Sequence, residues 1–206
     1  MVKIPACALR IKYVICTHGK CFSYKCYEKV IILPLSVGYS KLEQGNMLEL
    51  NLNPITGELN LDGLSLEIDS EEGFCNCDFY HKSIKHKAIK NIMPHHYHID
   101  STVFFEKEFQ AIIRPICFGF PFMVHLVDKD SEYYKSLKDW DARTNINMLN
   151  NSVKSLSDWL SLSLNLGVPD VTKTEMIRWD YEWGRISVSY ETKSFNHGIY
   201  IVWNSI

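Results

Sequence analysis

Hydrophobic and polar positions change period several times along the chain, and each change marks an element. Leu48, Leu50 and Leu52 alternate with Glu49 and Asn51, which predicts a strand with one buried face before Asn53-Pro54 turns the chain. In GELNLDGLSLEID the alternation runs through Asp62-Gly63, a pair suited to a two-residue type I′ turn. The resulting hairpin sets Leu61 against Leu64 and Leu59 against Leu66. Residues 75–100 follow neither period and read as irregular, with lysines and histidines crowded into HKSIKHK. VFFEKEFQAIIR and CFGFPFMVHLV then read as two strands joined near Arg114-Pro115. In the second, Phe120, Phe122, Val124 and Leu126 share a face.

A different period follows. Leu149, Val153, Leu156, Leu160 and Leu164 form one stripe at helical spacing. Asn165-Leu166-Gly167-Val168-Pro169 ends the helix, with Gly167 suited to a left-handed cap and Pro169 blocking continuation. In RWDYEWGRISVSYE, Trp179, Tyr181 and Trp183 alternate with polar residues, and beyond Gly184 the apolar phase shifts to Ile186, Val188 and Tyr190. One strand with a bulge at Gly184 accounts for the shift. The aromatic row then reads as core under a helix stripe that includes Trp159, and the last hairpin ends in GIYIVW.

The expectation is an α+β fold: an antiparallel sheet of about six strands with one main amphipathic helix, residues 149–165, packed on one face. A chain of 206 residues that is 46% hydrophobic is long enough and apolar enough to bury a sizeable core. Its apolar run VIILPL is far shorter than the ~20 residues of a membrane-spanning helix, and Arg10 and Lys12 interrupt any signal-like start. Cytoplasmic location, away from any membrane, is expected. Seven cysteines in no recognisable framework fit reduced thiols.

The net charge of −2 conceals a division. Residues 1–46 carry seven Lys or Arg against two Glu, whereas residues 47–206 carry fifteen bases against twenty-two acids. Two parts are expected: a basic N-terminal extension, 1–46, and a single α+β domain, 47–206. Within the extension, Ile11–Val14 and Phe22–Leu33 read as β-rich. Its lysines 12, 20, 25 and 29, interleaved with Tyr13, Phe22, Tyr24 and Tyr27, are a weak nucleic-acid pattern. The acidic body has no such pattern, and no nucleic-acid binding is expected there. On the hairpin, Glu58 falls opposite Glu67 with Asp62 and Asp69 nearby, and no base interrupts Glu58 to Glu72. Like charges opposed across strands are mildly destabilising. Such a strip is either a solvated face or a surface for a basic partner.

Chemistry candidates are few. Cys75, Cys77, His81 and His86, with His95, His96 and His98 downstream, offer zinc-type ligands. The usual knuckle spacing is absent, and Lys82, Lys85 and Lys87 would crowd a cation. Glu106 and Glu108 share a strand face without an evident cleft. The chain has no nucleophile elbow and no phosphate-cradling glycine loop. No catalytic residue, metal or cofactor is expected, and the chain reads as a non-enzyme.

From Leu48 onward the sequence resembles small bacterial immunity proteins of polymorphic or contact-dependent toxin systems. The residues that carry this are LNPITGELNLDGLSLEI, FGFPFMVHLV, Trp159-Leu160, Leu166-Gly167-x-Pro169, Tyr181-x-Trp183-Gly184-x-Ile186 and Ile199-Tyr200-Ile201. The resemblance implies a non-catalytic cytoplasmic protein that binds and neutralises a cognate toxin. Glu58, Asp62, Glu67 and Asp69 would then meet a basic toxin domain. The alternatives are a small metal-dependent enzyme using residues 75–98, and a structural protein of unknown role.

Overall fold

The computed structural model describes residues 47–204. The expected strands at Ile11–Val14 and Phe22–Leu33, and the basic extension as a whole, lie outside the described residues. The elements run β1 (Leu48–Leu52), β2 (Leu59–Leu61), β3 (Leu64–Ser65), α1 (Glu71–Asn76), α2 (Asp78–Lys85), β4 (Ile89–Met93), β5 (His96–Phe104) and β6 (Lys107–Arg114). They continue with β7 (Met123–Asp128), α3 (Glu132–Lys135), α4 (Trp140–Arg143), α5 (Ile146–Leu164), β8 (Val171–Lys173), β9 (Met176–Tyr181), β10 (Gly184–Tyr190) and β11 (His197–Trp203). The fold is α+β.

Among the described residues, one sheet of 11 strands takes the order β3-β2-β1-β5-β6-β7-β11-β10-β9-β8, with β4 also paired to β5. That is nearly twice the expected count. Several strands are only two or three residues long, too short for alternation to register. Every pairing is antiparallel except β1 with β5, which is parallel at Leu48↔Thr102 and Glu49↔Val103. Thr102, fully buried there, donates its hydroxyl to the Leu48 carbonyl at 2.8 Å.

The first hairpin is as expected. Asp62 and Gly63 both take positive φ, as a type I′ turn requires, and Leu61 pairs with Leu64. Leu59, Leu61 and Leu66 are buried beneath it. In α5 the Leu149–Leu164 stripe is buried, and Asn145 caps the first turn by accepting the Met148 amide at 3.1 Å. The cap at the other end differs from expectation. Asn165, not Gly167, is the left-handed cap residue (φ 52°, ψ 49°), and the Leu166 amide also returns to the Ser161 carbonyl. Asparagine tolerates this region better than most residues.

Residues 75–100 are not irregular. They hold the end of α1, all of α2 and β4, and the start of β5. Helix α2 buries only Phe79 and Ser83, four residues apart, so its lysines and histidines hide the period. VFFEKEFQAIIR is not one strand either: Phe105 and Glu106, both at positive φ, turn the chain between β5 and β6.

The aromatic row around Gly184 is likewise divided. Glu182 and Trp183 form a two-residue turn, and Gly184 pairs with Tyr181 behind and Trp203 alongside. No bulge is needed. Glycine sits at 184 because a Cβ would lie 2.2 Å from the Val202 carbonyl oxygen. Trp179 is buried, with its indole N–H donating to the Gly167 carbonyl. Tyr181 and Trp183 stack on each other, half-buried, and Trp183 covers Gly57. Trp159 is not above this row; it packs against Phe104 and Phe109 at the other part of the sheet.

The described residues therefore supply their own buried core, drawn from β1, β2, β4–β7, β9–β11 and the helices α1, α2, α3 and α5. A chain beginning at Met47 is expected to melt cooperatively, read by circular dichroism. A broad transition without a baseline would show that residues 1–46 complete the fold.

Candidate functional site

The strands that build the acidic hairpin alternate by design of their sequence. Leucines 48, 50, 52, 59 and 61 point inward, so Glu49 and Asn51 on β1 and Ser65 on β3 point outward. Antiparallel pairing aligns Asn51, Asn60 and Ser65 across three strands. The ladder ends at Asn60↔Ser65, with one further bond from the Leu66 amide to the Leu59 carbonyl. Glu58 and Glu67 lie one step beyond it, both exposed. The chain can splay there, which relaxes the like-charge opposition the sequence predicts.

The four carboxylates differ in their surroundings. Asp62 forms an ion pair with Lys82 of α2 at 2.7 Å. Sequence inspection misses this base, because it comes from twenty residues downstream. Glu58 accepts, among the described residues, only from the Asn60 side-chain amide, at 3.4 Å. Glu67 and Asp69 are exposed and form no side-chain hydrogen bond or ion pair among the described residues. Elsewhere on the sheet acids are matched: Asp100 with Lys90, Asp128 with Lys107, Glu108 with Lys129, and Asp180 with Arg178. Glu108 also accepts from Ser101, and these bonds hold its carboxyl below its usual range, Lys129 foremost. Glu106, turned out at the hairpin tip, does not share a site with it.

The cysteine and histidine segment does not converge. No group of three or more His, Cys, Asp or Glu is placed to hold a metal ion among the described residues. His96 and His98 do share a face of β5, yet each has its own partner: the Pro94 carbonyl for His96 and Asp100 for His98. His95 sits in the β4–β5 turn at φ 62° and meets Glu71 at 2.5 Å. Glu71 in turn accepts from Tyr97 Oη at 2.8 Å, and Cys75 Sγ lies 3.2 Å from the same phenol. Burial first, then Cys75 and Glu71, pushes the Tyr97 phenol far above its ordinary range, so it stays a proton donor. The cluster ties α1 to the β4–β5 turn. It offers no nucleophile paired with a base.

One open groove of about 730 Å³ runs between α5 and β8–β9, lined by Asn150, Lys154, Asp158, Thr172 and Lys173 among others. Its two opposite charges on α5, Lys154 and Asp158, pair with each other at 3.0 Å. Exposed aromatic residues form a feature that the sequence reading missed. Phe118 is 85% exposed and Phe120 56%, although alternation had placed Phe120 on the buried face with Phe122. Strand β7 begins only at Met123, and Cys117 to Phe120 form a tight turn. Gly119 and Pro121, flanking the aromatics, were the available signal for that turn.

No protein-family model, curated protein or solved structure matches this chain. No helix among the described residues is long and apolar enough to cross a membrane.

Proposed function

We propose that this is an immunity protein, acting in the cytoplasm, that neutralises a basic toxin domain by binding it and catalyses nothing. One observation carries the reading. Around the first hairpin Glu49, Glu58, Glu67 and Asp69 are exposed and have no base among the described residues, whereas Asp100 of β5, Glu108 of β6, Asp128 of β7 and Asp180 of β9 are each matched to lysine or arginine. They belong to a body with seven more acids than bases, a field that would speed encounter with a cationic surface. Asp62 is the exception among the proposed contacts, because a partner would have to compete with Lys82 for it. The α5 helix packs on the sheet as scaffold and leaves this hairpin to the partner.

The test pairs this protein with the product of the adjoining gene in growth-arrest rescue and in titration. Rescue together with a one-to-one complex is expected. Absence of both toxicity and complex would end the proposal. With that partner, reversing Glu58 and Glu67 together to Lys should leave the melt unchanged and slow association by about tenfold at low salt. An unchanged on-rate and salt dependence would move the contact off the hairpin.

A further inference from the structure

The chain exposes aromatic side chains where its backbone is least suited to them. Cys117 and Phe120 exchange backbone hydrogen bonds at 3.3 and 2.8 Å around a two-residue turn, Phe118-Gly119. Both central residues take positive φ, 49° and 79°. Glycine, asparagine and aspartate suit such a turn; a bulky L-residue at its first central position is an outlier with an energetic cost. Burial does not repay that cost, since the Phe118 ring is 85% exposed. Strain of this kind is retained where the side chain has a use.

The surroundings indicate the use. Phe118 meets the His95 ring edge-on at 5.1 Å, and His95 stands two residues past the exposed end of β4, where Ile92 and Met93 are 52% and 53% exposed. Phe120 lies under the Arg114 guanidinium at 5.2 Å. Exposed aromatics beside arginine and methionine make up the composition of an interface centre. An acidic stretch reaches this patch through Glu71. Glu71 holds His95, and Glu67, Asp69 and Glu72 flank Glu71 in sequence, exposed and without a base among the described residues. An apolar centre with an acidic border fits a protein surface that presents an apolar pocket bordered by Lys and Arg.

We infer that Phe118 is the anchor of a protein-binding surface that it forms with Phe120, Ile92 and Met93, and that its occupant is a basic partner protein. The inference rests on the neutralisation reading for the charge of that partner. A second copy of this chain would bring acid against acid at the border, which is why the occupant is a different protein.

The probe is a phage-displayed library of random peptides selected against the full-length protein. Selected peptides are expected to combine apolar residues with Lys or Arg. They should bind Phe118→Gly about tenfold more weakly than the wild type while binding Leu162→Ala equally well. Glycine accepts the turn without strain, so Phe118→Gly should also melt about 2–4 °C higher. A loss of binding with a gain in stability separates an anchor from a structural residue. The inference falls if no peptide is enriched, if the peptides are acidic, if they ignore Phe118→Gly, or if that variant melts lower. It falls equally if sedimentation shows self-association that Phe118→Gly abolishes. Growth rescue that survives Phe118→Gly would remove the anchor and leave neutralisation standing. Failed rescue by wild-type protein, with peptide binding still dependent on Phe118, would remove neutralisation and leave the surface.

Discussion

Truncating Leu160 to alanine is expected to cost about 3–5 kcal/mol of unfolding free energy, the upper range for a leucine deleted from a close-packed core. Leu160 has no exposed surface. It stands in the middle of the α5 stripe with Leu156 one turn before and Leu164 one turn after, all buried. The helix packs over β9, β10 and β11, where Trp179, Ile186, Val188, Ile199 and Ile201 close the other side. Neighbours fixed on a sheet collapse little into a new cavity, so both the lost transfer energy and the cavity cost are felt. Leu162 on the same helix is 84% exposed, and its truncation should change stability by less than about 0.5 kcal/mol. Urea melts of the two variants, compared at an unchanged m-value, decide the matter. Equal stability of Leu160→Ala and wild type would mean that α5 does not cover the sheet.

That stripe was legible because five apolar residues repeat over a helix of 19, long enough for the period to stand out. The Asp62-Gly63 hairpin was legible for a different reason: the turn residues and the leucine alternation point to the same register. Legibility failed where elements are short or punctuated by unusual residues. Helix α2 shows two inward residues in eight, and the turns at Phe105-Glu106 and Phe118-Gly119 put phenylalanine where glycine or asparagine is the usual signal. The phase shift at Gly184 was real, but a two-residue turn produces the same shift as a bulge, and only the pairing of Gly184 with both Tyr181 and Trp203 separates them.

The candidate site was legible in part. The identity and exposure of Glu58, Glu67 and Asp69 follow from alternation around the hairpin. The Lys82 partner of Asp62, the Glu71–His95 contact and the exposed Phe118 do not, since each depends on how distant segments meet. The spread of the candidate metal ligands was hidden for the same reason. Ligand types were present in sequence, but secondary structure sends Cys75, His95, His96 and His98 to separate partners.

Acid is expected to unfold the protein well before its carboxylates are all protonated, because two histidines are buried neutral. His125 lies on β7 and His197 on β11, adjacent strands, and the His125 ring stacks on Tyr200 at 4.2 Å and 3°. Its Nε2–H donates to the His197 carbonyl at 3.2 Å. His197 has no exposed surface, packs against the Tyr133 ring, and finds no hydrogen-bond partner for either ring nitrogen among the described residues. Burial lowers the His125 pKa to about 4, with the His197 carbonyl opposing the shift. Burial, then the neighbouring His125, lowers that of His197 to about 4 as well, although Asp128, paired to Lys107, pulls the other way. The unfolded chain takes up these protons near pH 6.5, the folded chain only near pH 4. Stability from each histidine is therefore complete above pH 6.5 and is lost as pH falls toward 4. Linkage makes that loss on the order of 2–3 kcal/mol per ring at pH 4.5. Tyr200, whose phenol burial pushes far above its ordinary range, does not titrate in this window. His197→Phe keeps a ring against Tyr133 and removes two unpartnered nitrogens. Its denaturant midpoint should match or exceed that of the wild type at neutral pH. Its loss of stability between pH 7.5 and 4.5 should be smaller than the wild type's by about 2–3 kcal/mol. The same acid slope in both proteins would mean that His197 binds its proton in the folded state near the ordinary pH, and the buried pair would not be the origin of acid sensitivity.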